Sequence, residues 1–149
     1  MPELRDYLPA DFEQLWSLDQ RCFSREIAYS REELAYYLRS PGSVCLLALR
    51  DKAISGFILG HRTRQAAGHI VTLDVDTQYR RVGLGSTLIQ AIETRFRAAG
   101  CTSALLEVAV NNDAALKFYK KHNYSVLKTL RRYYPGGLDG LLMGKRLGK

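Results

Sequence analysis

Arg80, Arg81, Gly83, Gly85 and Ser86 lie within one short stretch, Asp76-Thr-Gln-Tyr-Arg-Arg-Val-Gly-Leu-Gly-Ser-Thr-Leu-Ile89. A strand-like run, His69 to Asp76, enters it, and a helix-like run, Leu84 to Ala99, leaves it. A helix N-terminus exposes unpaired backbone N–H groups and the positive end of the helix dipole. Glycines let an anion approach that backbone without side-chain obstruction. The chemistry this implies is a phosphate or pyrophosphate cradle. A second feature lies downstream. Glu107 is the only charge in Ala104-Leu-Leu-Glu-Val-Ala-Val110. A carboxylate in an apolar strand is costly unless it has a partner or a job. Proton transfer is one such job; a structural ion pair or a solvent-facing strand end is the other reading. Tyr119 follows late in the helix-like run that starts at Asn112. It is a phenol able to donate a proton or hydrogen bond, or else a core aromatic beside Phe118 and Tyr124. Asn112 is a helix cap by type.

Two better-known cradles fit poorly. A P-loop needs G-x-x-x-x-G-K-[ST], and no lysine follows either glycine. The dinucleotide fingerprint needs a third small residue, and Leu88 stands there. The segment also reads as an ordinary glycine-rich turn from strand to helix.

The pattern R-x-x-G-x-G from Arg80 resembles the acyl-CoA loop of the GNAT superfamily of N-acetyltransferases. Leu105 to Tyr124, with Glu107, Asn111, Asn112 and Tyr119, resembles that family's second signature. Arg132-Tyr-Tyr-Pro-Gly-Gly-Leu-Asp-Gly-Leu-Leu-Met143 resembles the closing hairpin of the RimI-like branch, which acetylates protein N-termini. The resemblance runs from Arg5 to Leu147 and is strongest from His69 to Tyr124.

The resemblance implies an α/β (α+β mixed) GNAT fold: one domain over residues 1–149, with a mixed, mostly antiparallel sheet of about seven strands and helices on both faces. It implies acetyl transfer from acetyl-CoA, without a metal, to a primary amine by direct attack in a ternary complex. The amine it implies is the N-terminal α-amine of a protein or peptide, a ribosomal protein among them. Leu73, Asp74 and Val75 would meet the cosubstrate from strand four, Val75 through its backbone. Arg80, Arg81, Val82, Gly83, Leu84, Gly85 and Ser86 would cradle the pyrophosphate, and Asn112, Ala115 and Tyr119 would complete that site. Glu107 would be the general base, since an α-amine with a pKa of about 8 must lose a proton at neutral pH. Tyr119 would stabilise or protonate the leaving sulfur. Glu26, Tyr29, His69, Tyr133 and Tyr134 would line the acceptor side.

The chain departs from the RimI-like pattern twice. Ser24-Arg-Glu-Ile-Ala-Tyr29 replaces a Pro-Trp loop, and Leu138-Asp139 replaces Glu-Asp. Both changes lie on the acceptor side. A small-molecule amine acetyltransferase (polyamine, aminoglycoside or amino acid) and a non-catalytic acyl-CoA sensor remain alternatives.

Composition bounds the reading. The 149 residues are 46% hydrophobic, enough to bury a core. No apolar stretch reaches the length of a membrane span and the N-terminus has no signal-peptide h-region, so a cytoplasmic protein without a membrane role is expected. Cys22, Cys45 and Cys101 match no metal-ligand spacing and read as small buried side chains. His61, His69 and His122 form no ligand cluster by spacing. The net charge of +7 is uneven: residues 117–149 hold nine Lys or Arg against one acid, whereas residues 1–40 hold five against eight. A basic C-terminal third suits a polyanionic ligand, and an acidic N-terminal third suits a cationic amine. No nucleic-acid module appears, and no direct nucleic-acid role is expected.

The elements that must position these residues follow from periodicity. Strands are expected at 4–8, 44–49, 53–61, 69–76, 102–110, 124–131 and 140–147. Helices are expected from Asp11, from Arg31 after the capping box Ser30-x-x-Glu33, from Leu84, and from Asn112. Val71, Leu73 and Val75 alternate as though on one face of strand four.

Overall fold

The computed structural model describes residues 2–80 and 82–148. Seven strands and four helices alternate as expected: β1 (Glu3–Asp6), α1 (Phe12–Cys22), α2 (Arg31–Arg39), β2 (Ser43–Arg50), β3 (Ala53–Arg62), β4 (Ala67–Val75), α3 (Leu84–Ala98), β5 (Ser103–Ala109), α4 (Asp113–Lys121), β6 (Ser125–Tyr134) and β7 (Leu138–Arg146). One sheet runs in the order β1-β2-β3-β4-β5-β7-β6. Every neighbouring pair is antiparallel except β4 and β5, which are parallel. This is the mixed α/β architecture expected from the sequence.

Local chemistry explains the boundaries. Ser30 Oγ accepts from the Glu33 N–H and Glu33 Oε1 accepts from the Ser30 N–H, closing the capping box. Asp51 and Lys52 both have positive φ, as a two-residue hairpin turn between twisted strands requires. Asp11, from which the first helix is expected, precedes α1 but gives it no side-chain cap. It is buried, accepts both Arg5 guanidinium nitrogens at 2.8 Å, and accepts the Leu8 N–H at 2.8 Å. A bidentate cation outcompetes a capping bond for the same two oxygens.

The sheet separates two cores. On one face α3 and α4 cover Leu46, Ile58, Ile70, Leu106 and Met143; on the other α1 and α2 cover Leu47, Phe57 and Leu59. α3 sits close because its floor is glycine. A Cβ on Gly68 would lie 2.2 Å from the Phe96 ring, and one on Gly60 would lie 2.7 Å from it. The ladder between β3 and β4 skips a residue: Leu59 pairs with Thr72 but Gly60 pairs with Ile70. Val71 is the extra residue of this bulge. The alternation expected across Val71, Leu73 and Val75 therefore breaks. Val71 packs with the α1/α2 core, whereas Leu73 and Val75 pack on the α3 side.

Past the bulge Asp74 turns toward α1 and meets Asp19, and both carboxyls are fully buried. Thr72 donates to one Asp74 oxygen and the Tyr29 N–H to one Asp19 oxygen. The remaining oxygens, Asp19 Oδ1 and Asp74 Oδ2, have no other hydrogen-bond partner among the described residues. One proton shared between the two carboxyls would supply the missing bond, since two buried carboxylates this close do not both ionise. Burial, then the Asp19 carboxyl, hold Asp74 well above the ordinary 3.8. A folded value above the unfolded one favours the fold below about pH 4, and that contribution is lost as pH rises through the folded value.

Two predictions follow from this packing. Gly68→Val should lower unfolding free energy by about 3 kcal/mol, because the ring and helix must shift; urea melts check it, and an unchanged midpoint would mean the floor can yield. Asp74→Asn keeps the hydrogen bonds and removes the ionisation, so its stability curve between pH 4 and 8 should be flatter than that of the parent. Parallel curves would argue against a shared proton.

Candidate active site

β4 and β5 pair at three positions only, Ala67 with Ser103, Gly68 with Ala104 and His69 with Leu105. Beyond them each strand runs on, to Val75 and Ala109, without its neighbour. β3 still holds the other edge of β4, and β7 the other edge of β5. The sheet thus carries a wedge-shaped split whose two lips present backbone groups that no ladder uses.

The glycine-rich turn lies at the mouth of this split. Gly83 adopts φ +83°, a left-handed conformation that favours glycine, and starts α3. Gly85 has a second reason to be small: a Cβ there would lie 3.2 Å from the Phe118 ring of α4. Its small size seats α4 on α3. Ser86 Oγ and His122 Nε2 lie 2.8 Å apart and tie the same two helices. Arg80 Nε donates to the Val75 carbonyl at 3.1 Å, so that carbonyl is engaged by the protein. Leu73 lies on the α3 side and Leu84 is buried in the α3 core, whereas Val82 is exposed. Asp74 offers only its backbone here, since its side chain is the buried partner of Asp19. Arg81 lies outside the described residues.

On the same face, Asn112 Oδ1 accepts from the Ala115 N–H at 3.1 Å and caps α4. Tyr119 packs edge-on against Phe118 and Tyr124. Burial, then the nearby Asp74 and Tyr134, push its hydroxyl up, so it stays protonated at neutral pH. A protonated phenol is a hydrogen-bond donor.

The opposite face gathers the other group. Ala104, Leu106 and Val108 turn toward α3, so Glu107 turns away from it. His69 Nε2 lies 2.8 Å from Glu107 Oε1, and the two side chains are about one-fifth exposed, at 22% and 19%. Tyr29 sends its hydroxyl to the Val71 carbonyl at 3.1 Å, and its ring meets Tyr37 edge-on. Its phenol therefore anchors the bulge and leaves only the ring as wall. Tyr133 and Tyr134 stack edge-on with centroids 4.9 Å apart. Burial and then the charge of Glu107 raise Tyr133; burial, then Tyr133 and Glu107, raise Tyr134. Their place depends on a wide bulge at the end of β6, where Arg132 takes φ +52° and its N–H donates to Asp139 Oδ1 at 2.8 Å. Glu26 is exposed on the turn between α1 and α2.

Three residues escaped the sequence reading. His122 joins the cradle through Ser86, and nothing in its spacing marks it. Tyr37 stacks on His61 with centroids 6.3 Å apart. His61 Nε2 lies 3.2 Å from His69 Nδ1, although the histidines showed no clustering by spacing. The signal was available, since His61 and His69 are equidistant from Gln65, the middle of the β3–β4 turn.

The arrangement is a split between two strands of one sheet. A helix N-terminus and a phenol lie on one face, a carboxylate with its histidine on the other. Residues 11–124 match the family described as Acetyltransferase (GNAT) family. An N-alpha-acetyltransferase of Sulfurisphaera tokodaii is 40% identical over 81 residues, 54% of this chain and 48% of that one. The crystal structure of Ard1 from Thermoplasma volcanium superposes with TM-score 0.90 at 26% identity, over 99% of both chains. The ribosomal-protein-S18-alanine N-acetyltransferase from Escherichia coli has the same fold, with TM-score 0.89 at 20% identity over 100% of this chain and 96% of that one. The matches span 62%, 48% and 46% of the length of the first three curated relatives. With the family match covering residues 11–124, most of its length, the chain belongs to the GNAT acetyltransferase family.

Proposed function

We propose that this protein transfers the acetyl group of acetyl-CoA to the N-terminal α-amine of a protein or peptide. The observation that carries the reading is the Glu107–His69 pair at 2.8 Å on one face of the split, with the cradle and Tyr119 on the other. Two reactants entering from opposite faces would meet between the lips. The relatives named N-alpha-acetyltransferase support the α-amine as acceptor. The E. coli neighbour makes a ribosomal protein one acceptor worth testing. Three free cysteines suit the reducing cytoplasm, which is the compartment we infer.

The residues fit acetyl-CoA. The first turn of α3 offers unpaired N–H groups to a pyrophosphate, Arg80 stands beside it, and the lips offer backbone groups to an extended amide arm. When bound, acetyl-CoA supplies the activated thioester carbonyl. Glu107 takes a proton from the acceptor ammonium, breaking N–H and forming O–H, which frees the nitrogen lone pair. That pair would form the new C–N bond as the C–S bond breaks and its electrons leave on sulfur; the nitrogen, then cationic, would give its second proton to solvent, from which the phenol that protonates sulfur is restored. Tyr119, held protonated by burial, donates to the departing sulfur. Tyr29, Tyr133 and Tyr134 wall the acceptor entry and exclude water from the amine.

A mass-spectrometric acetylation assay tests this. Peptides of varied first residue, half of them blocked at the α-amine, are mixed with protein and acetyl-CoA. Acetyl groups should appear only on free α-amines; transfer to small amines alone would refute the acceptor. Glu107→Gln should lower kcat roughly a hundredfold with acetyl-CoA affinity retained. Tyr119→Phe should lower kcat about tenfold with little change in affinity; an unaltered kcat would leave Tyr119 a packing residue.

A further inference from the structure

We propose that His61 is a positioning residue for this reaction: it fixes the tautomer of His69 and so presents Glu107 with a hydrogen-bond donor. The inference rests on the reading of Glu107 as the proton acceptor. Three side chains on three adjacent strands form one continuous chain, from Glu107 on β5 through His69 on β4 to His61 on β3. The distances are 2.8 Å from Glu107 Oε1 to His69 Nε2 and 3.2 Å from His69 Nδ1 to His61 Nε2.

The direction of every bond follows from one end. A carboxylate that is ready to take a proton is acceptor only. His69 Nε2 must therefore carry the hydrogen. A neutral imidazole has one N–H, so His69 Nδ1 is bare and must accept. His61 Nε2 is then the donor. Burial, then His69 beside it, lower His61 from its ordinary value, which keeps it neutral and leaves it a single N–H to give. Without that donor His69 is free to move its proton to Nδ1. Its Nε2 lone pair would then face the carboxylate oxygens.

His61 is itself held. It and His69 are directly opposed in the β3–β4 register, and its ring lies nearly parallel to Tyr37 of α2. The other titratable groups facing the chain are Tyr29 and Tyr37 from the α2 side and Tyr133 and Tyr134 from β6. Burial raises all four phenols, so each stays neutral over the range where histidines and carboxylates titrate.

The test uses ring nitrogen NMR on protein labelled with 15N-histidine. Only three histidines contribute, and His122 lies apart with Ser86. At pH 8 His69 should show the Nε2–H tautomer. His61→Phe keeps the ring against Tyr37 but removes the donor, and His61→Gln restores an N–H at about the same reach. The Nε2–H signature of His69 should be lost or mixed in His61→Phe and kept in His61→Gln. In peptide acetylation His61→Phe should lower kcat/KM roughly tenfold and move the acidic limb of its pH profile upward, with His61→Gln near the parent. Acetyl-CoA affinity should be equal in all three. A His69 found as the Nδ1–H tautomer in the parent, or unchanged in His61→Phe, would overturn the proposal. Unaltered turnover in Glu107→Gln would instead overturn the base itself, independently of the His69 tautomer.

Discussion

Most of this molecule depends on where two parallel strands stop bonding to each other. β4 and β5 share three paired positions and then part. A parallel pair that diverges leaves N–H and C=O groups on both lips, a cost the fold must offset elsewhere. The outer ladders do so. β3 grips β4 as far as Val75, and β5 is paired with β7 along its whole length. Each strand that borders the split thus keeps a ladder on its other edge. Glu107, His69 and the glycine-rich turn all belong to the two strands that part or to the helix that follows β4.

Parity then distributes the chemistry. Side chains alternate between sheet faces, so Glu107 must point away from α3 once Leu106 and Val108 point toward it. His69 follows the same rule on β4. The bulge at Val71 resets the count, so that Leu73 and Val75 return to the α3 side while Asp74 turns to α1. One strand thereby serves the acceptor side near its start and the cradle side near its end. Tyr29 closes this arrangement, with its hydroxyl on the bulge carbonyl and its N–H on the Asp19 carboxylate.

The order of the elements was legible because each carried a local signal. The alternating strands, the capping box at Ser30 and the four-residue repeat of Leu84, Leu88, Ile92 and Phe96 needed no tertiary information. The glycine-rich turn, Glu107 and Tyr119 were legible as residue types out of keeping with their surroundings. What stayed hidden was pairwise. The sequence pattern gives no bulge at Val71, because the extra residue is a β-branched one that suits a regular strand. Asp11 has the type of a cap, but its place is decided by Arg5, six residues earlier and on another element. Gly85 looked like part of an anion cradle, and its neighbour is a phenylalanine thirty-three residues later. His61 and His69 needed the register of a hairpin, and His122 needed the packing of two helices.

The glycine floor beneath Phe96 has a consequence for stiffness. α3 is clamped where Phe96 lies over Gly60 and Gly68, and its other end carries the turn at Gly83. Leu84 and Phe96 are separated by about 18 Å along the helix axis. The helix is therefore a rod pinned at both ends, at the root by Phe96 over glycine and at the tip by buried Leu84 and by Gly85 under Phe118. A side chain added to either floor would lever the whole rod and carry the turn with it relative to the strand lips. The spacing between the turn and the split is thus set in part far from both, by a contact in which one partner is no side chain at all.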